Sequence, residues 1–197
     1  MRKQASVLVV LVTACVCLLG ACSSSDGSSD NTTGAAEDVA ADCTARGPGI
    51  DLHGCDLTGA NLSGANLSGA ILVFAILDFA DLTNANLLGA NLTDTNLTEA
   101  NLTNANLDGA ILTRAFLTGA NLTGASLTAF LGGAFLNDAN LTGAKLTGAS
   151  LDFADLSDAD LTEADLTGAD LTRAIWSNTT CPNGVVQSTE CPRTAAG

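Results

Sequence analysis

The sequence predicts an all-β solenoid: a chain wound into stacked square coils around a narrow apolar core. Three observations carry the prediction. Leu recurs at every fifth position, Ala stands two residues before nearly every such Leu, and Asn or Asp fills most of the positions between them. The centres run from Leu52, Leu57 and Leu62 to Leu127, slip by one residue, resume at Leu131 and Leu136, and reach Leu171, with Trp176 in the next slot. On an α-helix, successive centres would step by about 500°, a net ~140°, and scatter around every side. On a flat strand an odd period throws alternate Leu to opposite faces. Ala and Leu two positions apart do point the same way in an extended segment. Both therefore face inward only if the chain turns between units, and a quarter-turn per unit closes a square coil of four units.

The chain of 197 residues opens with an address. Met1-Arg2-Lys3 is a basic head, and Ala5 to Leu19 is an apolar run too short to span a ~30 Å hydrocarbon core comfortably. It ends in Leu19-Gly20-Ala21-Cys22 followed by Ser23-Ser24-Ser25, the order of a secretory signal with small residues at its cleavage site. The quartet resembles the lipobox of bacterial lipoproteins, which implies cleavage after residue 21 and lipidation of Cys22. An ordinary signal peptide with an incidental Cys is the competing reading. Residues 22–42 carry Ser, Asp, Asn and Thr without apolar periodicity and read as a flexible acidic tether, with a typical reach of about 25 Å.

Of the 7 Cys, two lie in the leader and Cys22 would carry lipid. Cys43, Cys55, Cys181 and Cys191 remain, flanking the repeats, and allow three disulfide connectivities. Their closeness in pairs suggests Cys43–Cys55 and Cys181–Cys191. A metal site competes, but there is no Cys-x-x-Cys spacing and no His cluster to support it.

Sixteen centres to Leu127 and ten from Leu131 make twenty-six units, with Ala two residues earlier except at Ile50, Cys55 and Thr95. The common unit, Ala-Asn-Leu-Thr-Gly, resembles the pentapeptide-repeat family over roughly residues 50–177. The resemblance implies a right-handed quadrilateral β-helix. Here that means about 6.5 coils and a column roughly 31 Å long. Solenoid ends expose backbone and apolar surface and need caps, which the two Cys pairs bracket. The expected domains are a leader (1–21), a tether (22–42), the column with its N-terminal cap (43–177) and a disulfide-closed loop (178–197).

With the inward slots almost uniform, individuality lies outside. Number the units from Leu52, so that every fourth unit stacks on one face. The residue before the central Leu is apolar at Ile71, Ile76, Ile111, Phe116, Phe130, Phe135 and Ile175, all on the first two faces. Phe74, Phe79 and Phe153, two after their Leu, fall there too. Ile71, Ile76, Ile111, Phe116, Phe130 and Phe135 are the candidate partner-binding residues, for an unknown protein or a second copy. Contiguous apolar surface often marks contact, and drift on a tolerant surface is the alternative.

The third face is regular. It runs Asn61-Leu62-Ser63, Asp81-Leu82-Thr83, Asn101-Leu102-Thr103, Asn121-Leu122-Thr123, Asn140-Leu141-Thr142 and Asp160-Leu161-Thr162. In spacing it resembles ice-binding arrays, which would make it an ice or glycan surface, whereas side-chain ladders are the structural alternative. Column neighbours Lys145 and Asp165, and Asp94 and Arg114, are expected to form surface ion pairs. Asp155, Asp160, Asp165 and Asp170 ring one coil, but they point from different sides and make a poor calcium site.

The charge narrows the functions. Lys+Arg is 7 against Asp+Glu 21, for a net −14, so no basic stripe exists for nucleic-acid phosphates. Loss of residues 1–21 would remove Arg2 and Lys3 and take the charge to −16. The single His53 has no evident catalytic partner, and a core filled by Leu and Ala leaves no interior pocket. The expectation is a non-enzymatic, cofactor-free, lipid-anchored interaction scaffold on the outer face of the cytoplasmic membrane, or at an outer membrane if the host has one. The family also includes cytoplasmic proteins that protect DNA gyrase by imitating duplex DNA. The acidic charge fits that alternative and the export signal does not.

Overall fold

A computed structural model describes residues 42–192, so the leader, Cys22 and almost the whole tether lie outside the described residues, as does the tail from 193. The column is held by parallel single-residue bridges between the residues that precede successive Leu on one face. Asp51 pairs with Ile71, Ile71 with Asn91 and Asn91 with Ile111, and a corresponding ladder rises on each of the other three faces.

One unit, Asn101 to Ala105, shows why the pattern folds this way. The Asn101 amide donates to Ala80 of the coil before (2.9 Å), and Leu102 to Asn121 of the coil after (2.7 Å). Asn104 donates to Thr123, also of the coil after (2.9 Å), and Ala105 closes the corner on Leu102 (2.9 Å). The fifth amide, Thr103, donates to Oδ1 of Asn101 at 3.2 Å, and the Thr103 hydroxyl donates to the same oxygen at 2.6 Å. All five backbone donors are thereby satisfied, as an ordered backbone demands. Asn or Asp before the Leu is thus an acceptor that the unit uses on itself.

At every corner but the one at Ala129 the residue two after Leu takes a left-handed conformation, as at Gly109 (φ 66°) and Asn104 (φ 56°), which favours Gly and Asn there. Inside, the central Leu of each unit from Leu52 to Leu171 and most of the paired Ala are buried, and each fully buried Leu contributes about 1.5–3 kcal/mol. Thr95 and Thr179 occupy Ala slots in the core, where their hydroxyls donate to Leu72 O (2.6 Å) and Leu156 O (2.8 Å).

The one-residue slip is a shortened corner. Ala129 N bonds Leu127 O directly (2.7 Å), and the ladders pass through it in step: Ile111 pairs with Phe130, and Phe116 with Phe135. Ser126 stands where Asn or Asp is usual, and Asp108 of the preceding coil takes over the acceptor role. Its Oδ1 accepts the Thr128 amide (3.2 Å), the Thr128 hydroxyl (2.7 Å) and the Ser126 hydroxyl (2.7 Å). Burial pushes the Asp108 carboxyl up, but these hydrogen bonds and the charge of Lys145 outweigh it and hold it below the usual value.

Disulfides stand at both ends, joining Cys43 to Cys55 and Cys181 to Cys191. The register runs one unit beyond the Trp176 at which the Leu spacing ends it. Thr180 bridges Asp160, and the fully buried Cys181 fills the next inward slot. Strand β1 (Thr179–Thr180) then pairs antiparallel with β2 (Val186–Gln187) as a small hairpin next to the last coil.

Candidate functional site

The ladders fix where each apolar outer residue sits. On the first face the column reads Asp51, Ile71, Asn91, Ile111, Phe130, Ser150, Asp170. On the second it reads Asp56, Ile76, Asn96, Phe116, Phe135, Asp155, Ile175. All six candidate contact residues are solvent-exposed, from 38% at Ile111 to 57% at Phe130. Phe116 and Phe135 stack with ring centroids 5.0 Å apart and an interplanar angle of 6°.

Two features set this stripe apart from neutral surface. An Ile or Phe before the Leu cannot accept a hydrogen bond, so its unit gives up the bonds of the kind that Asn101 Oδ1 accepts from Thr103. Each such bond is worth about 0.5–1.5 kcal/mol. The second feature is backbone strain. Phe74, Phe79 and Phe153 occupy left-handed corners at φ 58°, 59° and 60°, where a bulky L-residue costs roughly 1–2 kcal/mol. They are 62%, 66% and 54% exposed, so packing within the column offsets little of that cost.

Two of the few basic side chains join the corner between these faces. Arg114 grips Asp94 of the coil before in a two-pronged pair, Nε to Oδ1 at 2.8 Å and Nη2 to Oδ2 at 2.5 Å. The Arg114 hydrogen bond holds the Asp94 carboxyl below its ordinary value. The Arg173 guanidinium lies 5.3 Å from the centre of the Phe153 ring.

The second expected ion pair does not form: among the described residues no ion pair joins Lys145 to Asp165. Asp165 instead accepts the Thr147 hydroxyl on Oδ2 (2.9 Å) and the Thr167 amide on Oδ1 (2.9 Å). A compact hydroxyl one strand away satisfies the carboxylate without ordering a long Lys side chain. The third face also resolves differently. Thr83, Thr103, Thr123 and Thr162 donate their hydroxyls to Oδ1 of Asp81, Asn101, Asn121 and Asp160 in their own units, at 2.6–2.7 Å. The regular Asx-Leu-Thr pattern is therefore a staple within each unit, with rung-to-rung ladders in the minority. His53 Nδ1 lies 3.2 Å from Asp51 Oδ1 at the exposed first coil.

Among the described residues no group of three or more His, Cys, Asp or Glu is arranged to hold a metal ion, and no helix is long and apolar enough to cross a membrane. The two roles that spacing conceals are the self-accepting Asx and the Asp108 anchor. For the second, the only sequence signal is Ser126 standing where an Asx is expected.

Comparison with known proteins explains the architecture. The pentapeptide-repeat pattern matches in eight copies, over residues 50–89, 75–114, 90–128, 129–152 and 139–178. No curated protein matches the chain. Among solved structures, QnrB1, a plasmid-mediated fluoroquinolone resistance protein, is 18% identical and shares the fold with a TM-score of 0.52, over 68% of this chain and 72% of its own. A pentapeptide repeat protein of the Arabidopsis thaliana thylakoid lumen is 36% identical over 52% of this chain and 67% of its own, with a TM-score of 0.40. HetL of Nostoc sp. strain PCC 7120, involved in heterocyst differentiation regulation, is 32% identical over 71% of this chain and 90% of its own, with a TM-score of 0.21. The matched family and the fold shared with QnrB1 imply a right-handed quadrilateral β-helix. From the matched repeats and the ladder that carries them, the chain belongs to the pentapeptide-repeat family.

Proposed function

We propose that this protein is a non-enzymatic interaction scaffold, a rigid acidic column of about 6.5 coils at ~4.8 Å per coil. In this reading residues 1–21 are removed on export, Cys22 carries lipid, and residues 22–42 hold the column off the outer face of the cytoplasmic membrane or, if the host has one, at an outer membrane. The column and its cap (43–177) present the apolar stripe to a protein partner, and 178–197 closes the far end. One observation carries the proposal. Apolar residues on two adjacent faces displace a hydrogen-bond acceptor that the fold otherwise builds into its units, and three exposed Phe sit in strained corners beside them. The Phe116–Phe135 stack and the Arg173 contact with Phe153 offset part of that cost, and departures from a local rule only partly compensated inside the fold point to use outside it.

The test is photo-crosslinking in the envelope from probes placed beside Phe116 and Phe135, with Phe116→Asp plus Phe135→Asp as the control. Crosslinks that the double substitution removes support the reading, and crosslinks indifferent to it refute it. Cell fractionation and lipid labelling of the chain against Cys22→Ala test the anchor. A duplex-DNA mimic that protects gyrase is the second reading, favoured by the net charge of −14. It requires the chain to fractionate with the cytosol.

A further inference from the structure

The second face has a symmetry that the first lacks. Above Asp56 at the foot of its ladder, which would overhang the pairing, the outward residues are Ile76, Asn96, Phe116, Phe135, Asp155 and Ile175. The order is apolar, polar, Phe, Phe, polar, apolar, and it reads the same downward. An isologous interface needs this self-complementarity, because each residue must meet its counterpart under a two-fold rotation. We propose, building on the reading of the stripe as a contact surface, that a second copy of this chain packs antiparallel on the second face. The two-fold axis lies in the interface plane between the Phe116 and Phe135 rungs.

In that arrangement Phe116 of one copy meets Phe135 of the other, which extends the 5.0 Å stack within each copy across the interface. Ile76 meets Ile175. Asn96 meets Asp155, and the fit is chemical. Asn96 Nδ2 gives one hydrogen to Asp78 at 2.9 Å and has a second to offer. Asp155 takes its Ser157 bonds on Oδ1, which leaves Oδ2 as the acceptor for that hydrogen.

The corner shared with the first face is carried onto itself by the same rotation, and its ends agree. Phe74 comes opposite Arg173, a guanidinium that already lies against a Phe ring. Arg114 comes opposite Gly133, against which the Arg114 stem of the same copy already packs. The two Arg114 side chains therefore stand one rung (~4.8 Å) apart at the axis, each held back by its own Asp94, and Asp94 comes opposite Phe153. The far corner sets Glu99 near Asp158, a like-charge contact at the rim, so added salt should tighten the dimer.

Area fits as well. Ile76, Phe116, Phe135 and Ile175 with the corner residues Phe74, Phe79 and Phe153 expose roughly 700 Å² per copy, at about 200 Å² for a whole aromatic side chain. A standard stable interface buries about 800 Å² per partner. The alternative occupants suit the stripe less. The tether holds only Ala and one Val as apolar residues, and an anionic membrane surface would repel a chain of net charge −14.

The experiment uses the full chain, exported, purified in mild detergent with its disulfides intact, and carried on two distinguishable tags. Native mass spectrometry should show a dimer, and Phe116→Asp should weaken self-association on the order of 100-fold, as for a central aromatic contact. Under mild oxidation, copies with Ile76→Cys should crosslink to copies with Ile175→Cys, while neither variant crosslinks to itself. In the antiparallel dimer two copies of position 76 stand about 24 Å apart, five rungs of ~4.8 Å. Self-linking of each single variant would mean a parallel pair and overturn the proposal. So would a monomer at micromolar concentration. If that monomer's envelope crosslinks to another protein are lost with Phe116→Asp, the dimer is wrong and the scaffold reading stands. If they are unchanged, both fall.

Discussion

The repeat accepts its own fifth amide through Asn or Asp, and Asn121 offers a clean place to test that. Its Oδ1 takes the Thr123 amide at 3.1 Å and the Thr123 hydroxyl at 2.7 Å, and its rung neighbours Asn101 and Asn140 are both neutral. Asn121→Ala removes both bonds and leaves a half-buried amide and hydroxyl to find water. At about 0.5–1.5 kcal/mol each, the loss should be ~2 kcal/mol. For a chain of this size that lowers the apparent Tm by roughly 4–8 °C. Asn121→Asp keeps the accepting oxygen, as Asp81 and Asp160 do on the same face, and should stay within about 0.5 kcal/mol of the parent, as benign surface changes do. Thermal unfolding followed by far-ultraviolet circular dichroism reads both variants. If Ala and the parent melt together, or if Asp is as damaging as Ala, the Asx staple does not hold the unit.

The same bookkeeping makes Asp108→Ala costly, because it strips three donors of their shared acceptor at the short corner. A loss of about 2–3 kcal/mol in urea unfolding is expected, with Asp108→Asn recovering most of it. Leu112→Ala opens a cavity in mid-column and should cost about 3–5 kcal/mol, measured the same way. Acid should weaken the column. The carboxyls of Asp56, Asp81 and Asp165 are held below 3.8, first by Thr hydroxyl hydrogen bonds and then by Thr amides. A lowered folded-state value means that their contribution is complete above 3.8 and is lost as pH falls through the depressed values. A Tm series should therefore be flat down to weakly acidic pH and drop below that point.

The coil was legible because period five has one geometric solution once Ala and Leu must share an interior. The stripe was legible because the units stack in fours, and a slip that preserves the ladder, Ile111 to Phe130, preserves the columns. What spacing could not show is where donors go. Lys145 and Asp165 are neighbours in the ladder, yet the carboxylate turns to Thr147 and Thr167, since charge in a column does not fix a rotamer. The third face resembles an array offered to a ligand, yet four of its six hydroxyls donate within their own units and that of Ser63 donates to Thr83 O of the next coil. Cys181 in an inward slot was hidden because a disulfide Cys stands where every earlier centre is Leu or Trp.

The central claim is that the apolar stripe is covered when the protein works. Hydroxyl-radical footprinting reads this at the residues themselves, comparing oxidation of Phe116 and Phe135 in intact envelopes with the same side chains in dilute purified chain. Leu88, exposed on the fourth face away from the stripe, serves as the reference. Strong protection of Phe116 and Phe135 is expected in the envelope, and exposure on dilution. Equal oxidation in both states would mean that the stripe stands bare, and would contradict that claim.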